Sequence, residues 1–238
     1  MELSRKKRRK YNNGLIYSLI VLMICAIVVV VVNIVRVNQT NTGEGNTIVK
    51  EKVNNEYVNS QYTIGHNPTD INKTYFKELT ASLDGDLVPE DISSNVVKCF
   101  VTEYYTWTNK DGNYDIGGMQ YIFKDKQSDF ANYTLWNFYK NMDLYISQYG
   151  TENLIEVSEV TIDSAQDGGK YEVQFPMDES EVSEDTEAVK KEYDCIDVTA
   201  SWTYKENTAI STGIFQNSAV FHVVNHDGRY EIAGISAA

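Results

Sequence analysis

The chain has 238 residues and a formal net charge of −13, and its charges are distributed unevenly. Six cations between Arg5 and Lys10, together with Glu2, give the first fourteen residues a charge of +5. Arg36 adds one more positive charge, so residues 37–238 carry −19. This acidity excludes direct binding of nucleic-acid phosphates by that part of the chain.

Residues 15–35 form an apolar run without a charged side chain. A helix of this length reaches about 32 Å, which matches a hydrocarbon core of about 30 Å. The sequence therefore predicts a basic cytoplasmic tail, 1–14, followed by a single transmembrane helix, 15–35. Because cations concentrate on the cytoplasmic side, we expect the C-terminal domain to be extracytoplasmic. A cleaved secretory signal is the alternative, but its apolar core usually has about 7–15 residues.

Residues 36–70 are rich in Asn, Thr, Gly and Glu and show no apolar periodicity. Such a segment cannot bury enough apolar surface to offset the entropy lost on ordering. The sequence predicts a flexible stalk over 36–70 and one extracytoplasmic domain over 71–238, which is long enough for a hydrophobic core.

Helical periodicity dominates the first half of this domain. One helix is predicted over residues 74–83, and a second begins near Pro89 and carries apolar side chains as far as Trp107. A third is predicted from Ser128 to Gly150. Its apolar face consists of Leu135, Phe138, Tyr139, Met142, Tyr145 and Tyr149. Aromatic residues at this spacing also suit a ligand pocket, but a core is favoured because this face must cover a sheet.

After Gly150 the period changes from about 3.6 to 2, as expected for strands. Residues 196–204 alternate apolar and polar side chains, and further strands are predicted at 154–163, 170–176, 214–224 and 229–235. Asp-Gly pairs at 167–168 and 227–228 predict turns. The predicted fold class is α+β, with helices packed on a curved antiparallel meander.

The acidic run at residues 178–187 has six acidic residues and no cation. It lacks the ligand spacing and turn glycine of a calcium-binding loop, so we predict a solvated loop. Cys25 lies in the predicted span, and Cys99 and Cys195 lie in the domain. Without C-x-x-C spacing, buried thiols are favoured over a Cys99–Cys195 disulfide.

The sequence contains no phosphate-binding glycine loop, no H-E-x-x-H and no G-x-S-x-G. Of the three histidines, His66 falls in the predicted stalk, whereas about 13 Å of strand separates His222 from His226, too far for one metal. We therefore predict no catalytic, cofactor-binding or metal-binding residues. The remaining enzyme hypothesis places Asp197 or Tyr104 in the concave face of the sheet.

Two segments resemble a known family. They are VKCFVTEYYTW at residues 97–107 and AVFHVVNHDGRYEIAG at residues 219–234. Both are similar to the aromatic helix and the closing hairpin of nuclear-transport-factor-2-like domains in bitopic type IV secretion scaffolds. The TcpC family of conjugal transfer proteins from Gram-positive mobile elements shows the pattern best. TcpC-like proteins often carry two such domains, whereas this chain has room for one, which favours a VirB-type single-domain relative.

The resemblance implies a cone-shaped domain without catalysis. The expected function is that of a membrane-anchored scaffold in a conjugative DNA-transfer channel of a Gram-positive bacterium. Its expected partners are other membrane channel subunits, further copies of itself and the lipid bilayer through residues 15–35. The alternative is an extracytoplasmic ligand-binding or sensor module, because an aromatic cup suits a hydrophobic ligand.

The predicted topology has a direct test in intact protoplasts. Protease added outside should digest the acidic domain, and the basic tail should stay protected because it lies in the cytoplasm. Immunoblots against tags at both ends measure the two fates. A domain that survives while the tail is digested would contradict the predicted orientation.

Overall fold

The computed structural model describes residues 53–85, 88–175, 190–207 and 209–238, all within a unit that runs from Ile48 to Ala238. The tail, the apolar run and the acidic run lie outside the described residues, as does the first part of the predicted stalk. Within the described ranges, no helix combines the length and apolarity needed to cross a membrane.

The folded part begins earlier than predicted, with a two-stranded antiparallel sheet. Strand β1 spans Val53–Val58 and pairs with β2, Thr63–Gly65. Tyr62 and Ile64 belong to the main core, and the Tyr62 hydroxyl donates to the Tyr230 carbonyl at 2.7 Å. The stalk prediction is therefore wrong for its last part. Contacts with residues distant in sequence order this segment, and no apolar periodicity within residues 36–70 indicated them.

The first two helices are confirmed. Helix α1 spans Asp70–Asp84 and begins before the predicted residue 74, because the Thr69 side chain caps the Asn72 amide. Helix α2 spans Pro89–Tyr104. It ends before Trp107, whose amide donates to the Ile155 carbonyl at 2.8 Å instead of continuing the helix.

The predicted third helix is wrong in its middle, where the chain forms two helices. Helix α3 spans Gln127–Trp136 and α4 spans Met142–Tyr149. The break occurs at Asn137, whose backbone leaves the helical region with φ −121° and ψ −89°, and whose side-chain amide donates to the Tyr133 carbonyl at 2.7 Å. Short 3₁₀ turns flank these helices and the later strands at Met119–Tyr121, Lys124–Lys126, Thr151–Asn153 and Thr212–Ile214.

The second half forms the predicted antiparallel meander, in the order β3-β4-β5-β6. The strands span Val157–Gln174, Lys190–Tyr204, Ser218–His226 and Arg229–Ser236. The turn at 227–228 is confirmed, with positive φ at both residues. The predicted turn at 167–168 is wrong. A register shift between Asp167 and Gly169 lets β3 continue as one long strand.

The four helices pack against the curved antiparallel sheet, so the α+β class is confirmed. The inner face of the sheet presents Val198, Ala200 and Trp202 from β4 and Phe221 from β5, all buried. Helix α2 places Phe100 against Phe221, with ring centroids 5.8 Å apart. Cys99 and Cys195 are free and buried, as the sequence favoured.

Replacing Trp202 by Ala tests this packing. The side chain is 3% exposed, so its truncation should lower the free energy of unfolding by about 3–5 kcal/mol. The exposed neighbour Thr203 provides the control, and Thr203→Ala should change stability by no more than about 0.5 kcal/mol. Denaturant unfolding measures both variants, and a loss below about 1 kcal/mol for Trp202→Ala would contradict the register.

Candidate functional site

A cavity of about 710 Å³ lies between the end of α2, helix α3 and strand β6. Its volume falls within the range of small-molecule sites, about 300–1,000 Å³. Its lining residues include the charged Lys126 and Asp129 and, with them, Tyr104, Tyr105, Phe130, Tyr133, Phe138, Gln216, Ile232 and Ile235. The concave side of the domain is therefore not fully filled by its own side chains.

Aromatic rings in tilted and edge-to-face contact line the helical side of this cavity. Tyr104 lies 5.1 Å from Phe130 and 5.3 Å from Phe138, measured between ring centroids. Tyr105 lies 5.2 Å from Phe138 and 4.4 Å from Trp202 on the sheet. The rings that border the cavity thus belong to the same packed network as the core, which fixes their positions.

Two tyrosine hydroxyls provide polar groups in this apolar wall. The hydroxyls of Tyr104 and Thr134 are 3.1 Å apart, and that of Tyr105 donates to Gln216 Oε1 at 3.0 Å. Burial raises the pKa of Tyr104 and of Tyr105 above the ordinary value. Both side chains are therefore neutral near pH 7 and act as hydrogen-bonding groups rather than as bases.

Helix α3 also exposes large apolar side chains beside the cavity. Tyr133 is 63% exposed and lines the cavity, and Trp136, one turn further on, is 74% exposed. We call these two residues the α3 surface. The other side of the helix packs on the core through Ala131 and Leu135. Exposed aromatic residues of this size are typical of contact surfaces.

The structure does not bring the two residues of the enzyme hypothesis together. Tyr104 lines the cavity. Asp197 alternates along β4 with Val198, which belongs to the main core, and its Oδ1 lies 2.7 Å from His222 Nδ1. Asp197 is thus on the opposite face of the sheet from the cavity, and that part of the hypothesis is wrong.

Asp197 belongs to a row of polar side chains across four adjacent strands. The Cys195 thiol donates to Asp197 Oδ1 at 3.5 Å, and His222 Nε2 lies 3.3 Å from the Ser236 hydroxyl. The Tyr171 ring stacks on His222 at 4.9 Å. These side chains hydrogen-bond to or stack on one another, so the polar atoms that are withdrawn from water on this face of the sheet have partners.

The remaining histidines have separate partners. His226 Nδ1 lies 3.4 Å from Glu231 Oε2, and its ring stacks on Phe123. His66 lies near two carboxylates, with Nε2 3.3 Å from Asp115 Oδ2 and 3.6 Å from Asp111 Oδ2. This second cluster was not predicted, because His66 falls in the segment predicted to be a stalk.

A sequence signal for that cluster does exist. Asn109, Asp111, Asn113 and Asp115 alternate in the loop that follows α2. Four side chains that line the adjacent small cavity are buried although they are polar or charged: Asn72, Glu103, Lys110 and Asp115. Charged side chains are rarely buried unless they are paired or bind an ion, so this cluster is a second candidate site.

Comparison with protein-family models, with curated proteins and with solved structures finds no match to this chain. The cavity, the α3 surface and the two polar clusters are therefore interpreted from their own geometry and chemistry.

The environment of Cys195 predicts slow alkylation. Burial, and then the Asp197 carboxylate, raise the pKa of this thiol to about 12. The thiol should stay protonated at pH 9, so iodoacetamide should label Cys195 far more slowly in the native chain than in the unfolded chain. Peptide mapping by mass spectrometry measures this site separately from the other two cysteines.

Two charge variants sharpen this test. Asp197→Asn removes the adjacent negative charge and should speed labelling of Cys195 at pH 9, because the thiolate becomes easier to form. Asp194→Asn, at a neighbouring side chain that is 84% exposed, should have little effect. Native labelling as fast as unfolded labelling would contradict the assigned environment.

Proposed function

We propose that the chain is a membrane-anchored, non-enzymatic scaffold in a conjugative DNA-transfer channel of a Gram-positive bacterium. On this proposal the domain is cone-shaped and nuclear-transport-factor-2-like. The two segments that resemble that family lie in α2 with the residues just after it and in the β5–β6 hairpin. Helices packed on a curved antiparallel meander are compatible with this finer assignment.

The α3 surface is the observation that carries the proposal. An exposed Trp136 and an exposed Tyr133 leave large apolar areas in water, where they gain nothing from burial. Tryptophan and tyrosine are also the side chains that contribute most to binding between proteins. The α3 surface therefore supports a role in binding another subunit.

Charge and anchoring support the same role. Residues 37–238 carry −19, which favours a protein partner with a basic surface and disfavours direct contact with DNA. The apolar run at 15–35 would hold the domain at the membrane together with the other subunits. Weak contacts are then strengthened because the effective concentration of each partner rises.

The cavity supports a second function, that of an extracytoplasmic ligand-binding or sensor module. Its rings suit a hydrophobic ligand, and the hydroxyls of Tyr104 and Tyr105 provide polar contacts for one end of such a ligand. Tyr105→Phe separates the two functions. It removes one hydroxyl inside the cavity and leaves the α3 surface unchanged.

Transfer frequency in a strain lacking the gene tests the scaffold. Deletion from the mobile element should abolish transfer, and the full chain should restore it. Residues 37–238 without the span should not restore it, because membrane attachment is lost. Trp136→Ala should lower transfer by about tenfold or more, as expected for loss of an interface tryptophan.

The matched control is Val58→Ala, because Val58 is also apolar and is 57% exposed. This variant should transfer normally, and circular dichroism should show that both variants fold. Normal transfer by the deletion strain would refute the scaffold. Normal transfer by Trp136→Ala, combined with a loss in Tyr105→Phe, would favour the ligand-binding function instead.

A further inference from the structure

We propose that His66, Asp111 and Asp115 bind one divalent metal ion, and that Zn²⁺ fits this set best. The three residues form one of two groups, among the described residues, whose ligand atoms all lie within 4.8 Å of one another. One imidazole and two carboxylates are ligands that zinc accepts. This inference does not depend on the proposed scaffold function.

The distances match the coordination of zinc. His66 Nε2 lies 3.3 Å from Asp115 Oδ2 and 3.6 Å from Asp111 Oδ2. Zinc binds such atoms at about 2.0–2.2 Å, so two ligands of a tetrahedral ion are about 3.4 Å apart. An ion would therefore fit among these atoms with little rearrangement.

Two buried polar atoms point to a missing partner. His66 Nε2 is buried and makes no hydrogen bond, although the carboxylates are close. Asn72 is 2% exposed, and its Nδ2 has no hydrogen-bond partner either. A metal ion would bind the first atom directly, and a water molecule in the adjacent space would accept a hydrogen bond from the second.

The size of the adjacent cavity restricts the ligand. His66, Asn72 and Asp115 line a space of about 10 Å³, enough for roughly one water molecule. An organic ligand does not fit there. A single ion or a single water molecule does.

The charge balance favours a divalent cation. Glu103, Asp111 and Asp115 bring three negative charges to the cluster, and Lys110 brings one positive charge. With His66 neutral, as a metal ligand must be, two negative charges remain. A divalent ion would neutralise them, which reduces the free-energy cost of burying Glu103 and Asp115.

Neighbouring hydrogen bonds orient these ligands. Asp115 Oδ2 accepts from the Asp111 amide at 2.9 Å, and Asp143 Oδ1 accepts from the Asn113 amide at 2.8 Å. These bonds hold the loop after α2 in place, while His66 follows β2. The His66 side chain is 20% exposed and that of Asp111 is 46% exposed. Water can therefore reach a fourth coordination position.

The test is a zinc titration of the purified full-length chain. The chain is first treated with a chelator and then dialysed with ZnCl₂ in excess Mg²⁺, which blocks weak binding to exposed carboxylates. Elemental analysis should find one zinc ion per chain. His66→Gln and Asp111→Asn should each weaken binding by at least about tenfold, with circular dichroism showing that both variants fold.

The other cluster provides the matched controls, because Cys195, Asp197 and His222 also place possible ligand atoms within 4.8 Å. His222→Gln and Asp197→Asn should bind zinc like the unaltered chain, and X-ray absorption should show nitrogen and oxygen ligands without sulfur. Absence of bound zinc, sulfur ligation, or unchanged affinity in His66→Gln and Asp111→Asn would overturn the proposal.

Discussion

The structure depends on the aromatic end of α2, where three rings face different parts of the domain. Phe100 packs against Phe221 of the sheet, Tyr105 packs against Trp202, and Tyr104 packs against Phe130 of α3. Aromatic pairs of this kind contribute about 0.5–1.5 kcal/mol each beyond the burial of their area. One short segment therefore joins the sheet, the first helices and α3.

This arrangement also explains why the cavity can stay open. The Tyr139 hydroxyl donates to the Tyr104 carbonyl at 2.7 Å, and Thr134 is within hydrogen-bonding distance of the Tyr104 hydroxyl. These bonds and the ring contacts hold the cavity wall in position from its core side. The inner side of α3 packs on the core, so Tyr133 and Trp136 on its outer side stay exposed. The proposed contact with another subunit depends on this exposure.

The sequence predicted those parts of the fold that are determined locally. Helix α2 has Pro89 in its first turn and regular apolar spacing, and the β5–β6 hairpin has its Asp-Gly turn. The sequence missed features that depend on distant contacts. Tyr62, for example, is held by its hydrogen bond to Tyr230, which is 168 residues away in sequence.

The candidate sites also differ in how far the local sequence predicts them. Tyr104 lines the cavity from the end of helix α2 and does not lie in the sheet. Asp197 was placed on the wrong face, although the alternation with Val198 already assigns it to the wet side of β4. The cluster at His66 was missed because its carboxylates at Asp111 and Asp115 are more than forty residues away in sequence.

On the proposed scaffold function, the α3 surface contacts another subunit of the transfer apparatus. Site-specific photo-cross-linking in the native cell tests it most directly, with a photoreactive amino acid in place of Trp136 and, as the control, in place of Val58. The account predicts a covalent adduct between the Trp136 position and a channel subunit encoded by the same mobile element, with none from the Val58 position. Identical patterns from both positions, or no adduct from either, would contradict it.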